Sequence, residues 1–282
     1  MRRVPNRAAL GAAAAALAIF AVTVTYAGAP RAAKPTVALP VTTTPPRATT
    51  TTARRHGPIT IAVVGDSIAG TIVWGLDEIM KGTQNHLVST AYPACGVASG
   101  AVIDPKGKVY PWSPTCAKNV PKVHEEMIAQ WHPDVVFWSS SWEVSNRLDL
   151  RTHTVLRWGT AAAERALLAS IDAAARRLTA GGAHLVLLTV APPGPNAAQP
   201  AGDPGLAEVQ YNALLRRYAA AHAGNISVLD IMPFVCPGGP PCPANVRGVN
   251  LRPDSIHYTH ETAPIVARWL LPRLLAAAPG RP

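Results

Sequence analysis

The chain has 282 residues, of which 48% are hydrophobic, and its formal net charge is +10. The first 58 residues hold eight of the 26 basic residues and no acidic residue, so residues 59–282 carry 18 basic and 16 acidic side chains. This near balance, without a basic cluster, argues against a nucleic-acid-binding protein, which needs basic residues grouped on its folded part. Residues 59–282 are numerous enough for one domain with a sizeable core.

The first 29 residues predict a secretion signal. Three arginines among residues 1–7 precede an apolar stretch at residues 8–24, and residues 27–29, Ala-Gly-Ala, match the small-residue pattern of a cleavage site. An uncleaved signal anchor is the alternative, because 17 apolar residues lie at the short limit for spanning a bilayer. Either outcome predicts an exported protein that is secreted, periplasmic or associated with the cell envelope.

Residues 30–58 predict a disordered linker. They contain eight Thr and six Pro and almost no large apolar side chain, so they cannot build a core. We expect an extended, semi-stiff spacer. The folded domain is therefore predicted to span residues 59–282.

The remaining sequence alternates between strand-like and helix-like segments. Short apolar runs predict five strands, at residues 59–65, 86–96, 134–141, 183–190 and 226–231. Helical patterns lie between or after them, at residues 68–81, 120–131, 160–180, 206–222 and 261–277. Strands separated by helices predict an α/β fold with a parallel five-stranded sheet, covered on both faces as a three-layer α/β/α sandwich.

Polar residues and glycines follow the predicted strands at the edge where sites form in such sheets. The first strand ends in Gly65-Asp66-Ser67, directly before a helix. One interpretation is that Gly65 makes a turn and that Asp66 or Ser67 then caps the helix, with no further role. The alternative interpretation is that Ser67 is a nucleophile held at the rim of the sheet.

A second polar stretch, residues 251–260, precedes the last predicted helix. Asp254 and His257 are three residues apart there. An Asp that fixes one ring nitrogen of a histidine leaves the other free to take a proton from a hydroxyl. A helix-capping Asp followed by an incidental histidine explains the spacing equally well. His260 competes with His257 as the base but lacks the spacing to Asp254.

The combination of Gly-Asp-Ser after the first strand and Asp-x-x-His near the C-terminus resembles the SGNH (GDSL-like) hydrolases over nearly all of residues 59–278. The resemblance implies a flavodoxin-like α/β/α sandwich, a Ser67 nucleophile, a His257 general base and acid, and an Asp254 that orients the histidine. No Gly-x-Ser-x-Gly elbow is present. Nucleotide-binding glycine patterns are also absent from the sequence, and no cofactor is expected.

The resemblance also implies an oxyanion hole. The backbone N–H of Ser67 and Gly96 in "YPACGVASG" occupy two of the family's donor positions. The third position departs from the family, because "SSSWEVSNR" stands where Gly-x-Asn-Asp is expected. A backbone N–H near Ser141 or Trp142 or a serine hydroxyl could replace the asparagine, or the third donor could be absent. This variant is similar to exported, disulfide-bearing SGNH domains found with envelope acyltransferases.

Four cysteines in an exported chain indicate disulfides rather than free thiols. Three pairings are compatible with the count. The local pairs Cys95–Cys116 and Cys236–Cys242 are favoured because each closes a short loop rich in Pro and Gly. Zinc is the alternative, but the spacing lacks a Cys-x-x-Cys pair, so no metal is expected.

The predicted function is an exported serine esterase that acts on O-acyl esters through an acyl-enzyme. The resemblance and the predicted location favour acylated sugars or related cell-envelope esters as substrates, and a membrane acyltransferase is a candidate partner. If a sugar hydroxyl replaced water, the same residues would form an O-acyltransferase. A non-catalytic carbohydrate-binding module, with Trp112 and Trp142 stacking on sugars, is the remaining alternative.

Overall fold

The structure, a computed structural model, describes residues 57–280 except residues 99, 105, 196 and 198–204. The predicted leader and almost all of the predicted linker lie outside the described residues. Within these ranges no helix has both the length and the hydrophobicity needed to cross a membrane. The elements in chain order are β1 (Thr60–Gly65), α1 (Ser67–Met80), β2 (His86–Ser89), β3 (Ala101–Val102), α2 (Ser113–Trp131), β4 (Val135–Ser139), β5 (Arg147–Leu148), β6 (Val155–Leu156), α3 (Ala161–Thr179), β7 (His184–Leu188), α4 (Leu206–Ala221), β8 (Ile226–Leu229), α5 (Met232–Val235) and α6 (Ala263–Ala277).

Five strands form one parallel sheet in the order β2–β1–β4–β7–β8. This is the flavodoxin-like order of a doubly wound sheet. The central strand β4 is buried along its whole length. Such continuous apolar runs are typical of parallel sheets that are covered on both faces. The predicted α/β fold is therefore confirmed.

Alternate residues of β1 point to the two sides of the sheet and divide the core into two layers. Ile61 and Val63 pack with α1 and α6, whereas Ala62 and Val64 pack with α2, α3 and α4. All four side chains are 0% exposed. The period of two along a strand and the two apolar helix layers together produce the three-layer sandwich.

Two segments differ from the sequence prediction. The second strand ends at Ser89 rather than at residue 96. Beyond it, the N–H groups of Thr90 and Tyr92 still donate to the carbonyls of Val63 and Gly65 in β1, and the segment then continues as a loop. The second helix begins at Ser113 rather than at residue 120. Pro114 lies in its first turn, where the missing N–H costs nothing. Short strands β3, β5 and β6 form a separate antiparallel sheet that the sequence analysis did not predict.

The structure contains both local disulfides. Cys95–Cys116 joins the segment after β2 to the first turns of α2, and Cys236–Cys242 closes the loop that follows α5. The first bond therefore connects the rim of the sheet to the helix layer beside it.

One buried histidine in α2 lacks polar partners. His124 is 1% exposed, and neither ring nitrogen has a hydrogen-bond partner among the described residues. Burial, together with the positive charge of Arg177, lowers the pKa of His124 from its ordinary value of 6.5 to about 3. The folded state therefore holds this imidazole neutral in an apolar setting.

Replacing His124 with leucine is expected to reduce the loss of unfolding free energy that occurs as the pH falls below 6.5. The unfolded chain takes up a proton near pH 6.5, whereas the folded state resists protonation down to about pH 3. The low pKa costs no stability above pH 6.5, and the cost grows as the pH falls, by up to ~1.4 kcal/mol per pH unit. The free energy of unfolding, measured with urea at several pH values between 6.5 and 4, should depend less steeply on pH in His124→Leu than in the wild type. The exposed His86→Gln variant is the control, and equal slopes for His124→Leu and wild type would contradict the prediction.

Candidate active site

The ends of β1 and β4 approach more closely than a side chain at residue 65 would allow. Gly65 has a φ of +146°, a region that favours glycine. A Cβ atom there would lie 1.8 Å from the carbonyl oxygen of Ser139. The N–H of Asp66 donates to the same carbonyl at 3.3 Å. The glycine therefore brings Asp66 and Ser67 against the loop that follows β4.

Asp66 connects this turn to the β4 loop through its buried carboxylate, which is 0% exposed. Oδ1 accepts the N–H of Ile68 at 2.8 Å and so caps α1. Oδ2 accepts the N–H of Ser141 at 2.7 Å and its hydroxyl at 3.0 Å. Burial raises the pKa of Asp66, and the hydrogen bonds from Ser141 and Ile68 oppose that increase. One side chain thus holds the start of α1 and the β4 loop in a fixed relation.

These bonds count against one of the predicted oxyanion donors. Both the N–H and the hydroxyl of Ser141 already donate to Asp66. A donor committed to a buried carboxylate is not available to a developing oxyanion. Ser141 anchors the loop in this geometry, and these bonds favour Trp142 over Ser141 as the predicted third donor.

Ser67, His257 and Asp254 form one hydrogen-bonded chain. Ser67 Oγ lies 2.7 Å from His257 Nε2, and His257 Nδ1 lies 2.7 Å from Asp254 Oδ2. Because the carboxylate only accepts, Nδ1 carries the hydrogen and Nε2 is left to accept from the Ser67 hydroxyl. A neutral histidine in this tautomer is able to take a proton from the serine.

Asp254 is held in its ionised form by its own turn. Its Oδ1 accepts the N–H groups of Ile256 at 2.8 Å and His257 at 2.6 Å. Burial acts to raise the pKa of Asp254, but hydrogen bonds from the His257 backbone and ring and from Ile256 lower it below the ordinary value. Asp254 is therefore charged when it orients the histidine.

The loop carrying this pair is fastened to the carboxyl end of β7. The guanidinium of Arg252, which is buried, donates to the carbonyl of Pro192 at 2.9 Å. Ser255 adopts a φ of +70°, and its carbonyl accepts the N–H of Gly194 at 2.9 Å. A serine in this region is strained, and such strain persists where the surroundings determine the backbone. Nothing in the local sequence around Ser255 or Gly194 predicts this contact, because it joins two segments that are distant along the chain.

A second buried carboxylate orders the segment that contains Gly96. Glu143 is 0% exposed, and its Oε1 accepts the N–H groups of Val97 at 2.7 Å and Ala98 at 2.9 Å. Arg147 donates to the carbonyl of Ala98 at 3.1 Å. Burial lowers the pKa of Arg147, and the charge of Glu143 opposes that decrease. Glu143 lies in the stretch where the family pattern has its asparagine, and here it anchors the loop.

The remaining two oxyanion candidates lie beside this anchor. Gly96 lines a small cavity with Trp112 and Arg147, separate from the cavity that contains Ser67. A Cβ atom at Gly96 would lie 2.9 Å from Glu143 Oε1. In the described part of the chain, the N–H groups of Gly96 and Trp142 have no hydrogen-bond acceptor. Both residues remain predictions as donors.

Trp112 and Trp142 pack against each other. Their rings are 4.9 Å apart at 75°, and Tyr110 stacks on Trp112 at 5.3 Å. Both tryptophans are half-buried. The edge-to-face contact indicates a packing cluster, whereas the sequence analysis considered these two rings as sugar platforms.

The three hydrogen-bonded residues face a cavity of about 710 Å³, a size typical of small-molecule sites. Its wall also includes Gly70, Trp74 and His260. The His260 ring stacks on Trp74 with a centroid distance of 4.0 Å and an interplanar angle of 16°. His260, the competing base in the sequence analysis, therefore contacts Trp74, while His257 contacts Ser67.

Removing the Glu143 carboxylate is expected to destabilise the protein. Glu143→Ala leaves a buried guanidinium without its nearby counter-charge and two buried N–H groups without their acceptor, which costs about 3–5 kcal/mol. Urea unfolding measures the loss. The exposed α2 variant Glu126→Ala is the control and should change the free energy of unfolding by less than about 0.5 kcal/mol. Equal effects in the two variants would contradict the anchoring role.

Comparison with known proteins identifies the family of the chain and agrees with its fold. A family model described as "SGNH domain (fused to AT3 domains)" matches residues 41–272. The periplasmic domain of a lipopolysaccharide acetyltransferase from Salmonella ser. Paratyphi A is similar, with a TM-score of 0.52 and 12% identity over 78% of this chain and 84% of that chain. The acetyl xylan esterase AlAXEase has a TM-score of 0.51 and 15% identity over 77% of this chain and 100% of that chain. No curated protein sequence matches the chain.

Proposed function

This chain belongs to the SGNH domain family, and on that premise we propose that it is an exported serine esterase acting on O-acyl esters. The substrates would be acylated sugars or related cell-envelope esters. The observation that carries the proposal is the hydrogen-bonded chain from Ser67 through His257 to Asp254, with two contacts of 2.7 Å, on the wall of an open cavity.

The first half-reaction would form an acyl-enzyme. Ser67 Oγ attacks the ester carbonyl as His257 Nε2 takes its proton, and the carbonyl oxygen becomes an oxyanion. Asp254 stabilises the resulting imidazolium. When the tetrahedral intermediate collapses, the bond to the alcohol oxygen breaks and His257 returns the proton to the leaving alcohol. The acyl group is then esterified to Ser67.

Backbone N–H groups would stabilise the oxyanion in both half-reactions. Ser67 at the start of α1 and Gly96 after β2 are the assigned donors, and Trp142 is the remaining candidate for the third. Each such donor contributes about 3 kcal/mol to transition-state stabilisation. The anchors Asp66 and Glu143 support this assignment because they order the segments that bear these groups.

The second half-reaction decides between two activities. Water, deprotonated by His257, would release a carboxylic acid and regenerate Ser67. A sugar hydroxyl in place of water would make the protein an O-acyltransferase by the same steps. The description of the family as fused to AT3 domains favours this second candidate. It also supports association with a membrane acyltransferase that supplies or receives the acyl group.

Export is supported by two disulfides in the described residues, because such bonds persist in oxidising compartments. The lipopolysaccharide acetyltransferase domain that this chain resembles is periplasmic. We therefore propose an extracytoplasmic location, with the predicted leader as the export signal.

Replacing Ser67 or His257 with alanine is expected to abolish ester hydrolysis. Release of 4-nitrophenol from 4-nitrophenyl acetate by the full chain, with oxidised cysteines, should fall by at least about 10³-fold in either variant. Urea unfolding verifies that each variant is folded, and the exposed His86→Ala variant is the control for histidine loss. Turnover that survives in Ser67→Ala would refute the serine mechanism.

A separate measurement distinguishes the two fates of the acyl group. The wild type is incubated with 4-nitrophenyl acetate in the presence and absence of methyl α-D-glucopyranoside. For a hydrolase, mass spectrometry should detect acetate and no acetylated sugar. An acetylated sugar that forms with the wild type but not with Ser67→Ala would assign the transferase activity instead.

A further inference from the structure

One face of α1 extends from Ser67 along the cavity wall. Ser67, Gly70, Thr71 and Trp74 follow the spacing of residues that share a helix face, and all four line the cavity. His260, from the segment that precedes α6, lies on Trp74. We call Gly70, Trp74 and His260 the α1 platform.

No contact among the described residues requires a glycine at residue 70. It lies inside α1, where glycine destabilises the helix relative to alanine, and a Cβ atom there would meet nothing within 4 Å. Gly75 of the same helix differs, because its Cβ would lie 2.3 Å from the carbonyl oxygen of Ala263 at the contact with α6. Helix packing therefore explains Gly75. At Gly70 the absent side chain leaves open space on the cavity wall, one turn from Ser67.

Trp74 is exposed at the cavity in a fixed orientation. The side chain is 43% exposed even though His260 covers one face of the indole. Of the Trp, Tyr and Phe side chains in the described ranges, only Trp74, Tyr92 and Trp131 are strongly exposed. Tyr92 lies between Ala91 and Pro93, which both line the same cavity. Of these three side chains, only Trp74 lines the cavity that contains Ser67, and exposed apolar surface of this kind is typical of binding sites.

The chemistry of the cavity wall fits a sugar ring better than a long acyl chain. A pyranose offers an apolar C–H face that packs on an indole and hydroxyl groups at its edge. Exposed Glu261 supplies a carboxylate beside His260 on this wall. The nearby Thr259 hydroxyl already accepts the N–H of Thr262. A long acyl chain would instead require an enclosed apolar channel, and the exposure of Trp74 shows that this wall is open to solvent.

We infer that the α1 platform binds the sugar ring of the ester, so that Trp74 selects carbohydrate esters and Gly70 leaves room for the ring beside Ser67. The inference rests on the proposed function, because it assumes that Ser67 is the group that attacks the ester. It assigns Trp74 and Gly70 as specificity-determining residues.

The test compares a sugar ester with an ester that has no ring. The full chain is assayed with methyl 6-O-acetyl-α-D-glucopyranoside and with vinyl acetate. For Trp74→Ala the ratio of kcat/KM for the sugar ester to kcat/KM for vinyl acetate should fall about tenfold, mainly through KM. Trp74→Phe, which retains a ring, should lose less than Trp74→Ala. Gly70→Leu, which fills the space, should lower the same ratio, and thermal unfolding verifies that each variant is folded.

Trp131→Ala is the matched control. Trp131 is 47% exposed and ends α2, just before the amino end of β4 and therefore at the opposite edge of the sheet from Ser67. Its replacement should leave both activities as they are. The inference is overturned if Trp74→Ala and Gly70→Leu keep the wild-type ratio, or if the wild type does not prefer the sugar ester.

Failure of the inference and failure of the proposed function give different results. If Ser67→Ala loses both activities while Trp74→Ala keeps the ratio, the α1 platform is wrong and the serine mechanism stands. If the wild type hydrolyses neither ester, binding of the sugar ester is measured by calorimetry. Binding lost in Trp74→Ala then supports the platform without the esterase, and binding retained in that variant overturns it.

Discussion

The buried carboxylate of Asp66 is the interaction on which the candidate site depends. It accepts hydrogen bonds from the start of α1 and from the β4 loop, so Ser67 and the neighbouring strand end are held by the same group. A carboxylate withdrawn from water is costly unless its oxygens are satisfied, and here donors from both segments satisfy them. The close approach of Gly65 to Ser139 makes this arrangement geometrically accessible, since any side chain at residue 65 would separate the two strands.

Glu143 is a second buried carboxylate that holds a loop by accepting backbone hydrogen bonds, here from the segment after β2. Its carboxylate orders the segment after β2 by accepting two backbone N–H groups, with Arg147 as the nearby positive charge. Many SGNH sequences place an asparagine in this region to supply a donor, whereas a carboxylate only accepts hydrogen bonds. The loop is therefore anchored by its own carboxylate, and Glu143 itself, when ionised, offers no donor to an oxyanion. This consequence could not be foreseen from the substitution alone.

The site combines a rigid part, made of loops that are held by buried charged groups, with an open part on one face of α1. Buried carboxylates and the Arg252 contact to Pro192 hold the polar groups in position, which suits a reaction that needs preorganised donors. The α1 face beyond Ser67 is instead open, with a glycine that no packing requires and an exposed indole. The proposed nucleophile and the proposed recognition surface thus lie along one helix, with the Ser67 hydroxyl at its first residue and Gly70 and Trp74 within the next two turns.

The sequence by itself determined the layers of the fold and both motifs, because these depend on local patterns: apolar runs predict strands, and Gly-Asp-Ser and Asp-x-x-His each lie within one turn. Tertiary structure alone decided how distant segments meet. Ser67 and His257 are 190 residues apart, and Glu143 anchors a segment 46 residues away. Contacts between elements also determine three further features. These are the hydrogen bonds from Ser141 to Asp66, the packing of Trp112 on Trp142 and the exposure of Trp74. The spacing of apolar residues along a helix or strand does not predict such contacts, because side chains of the same type can face the core, another ring or the solvent.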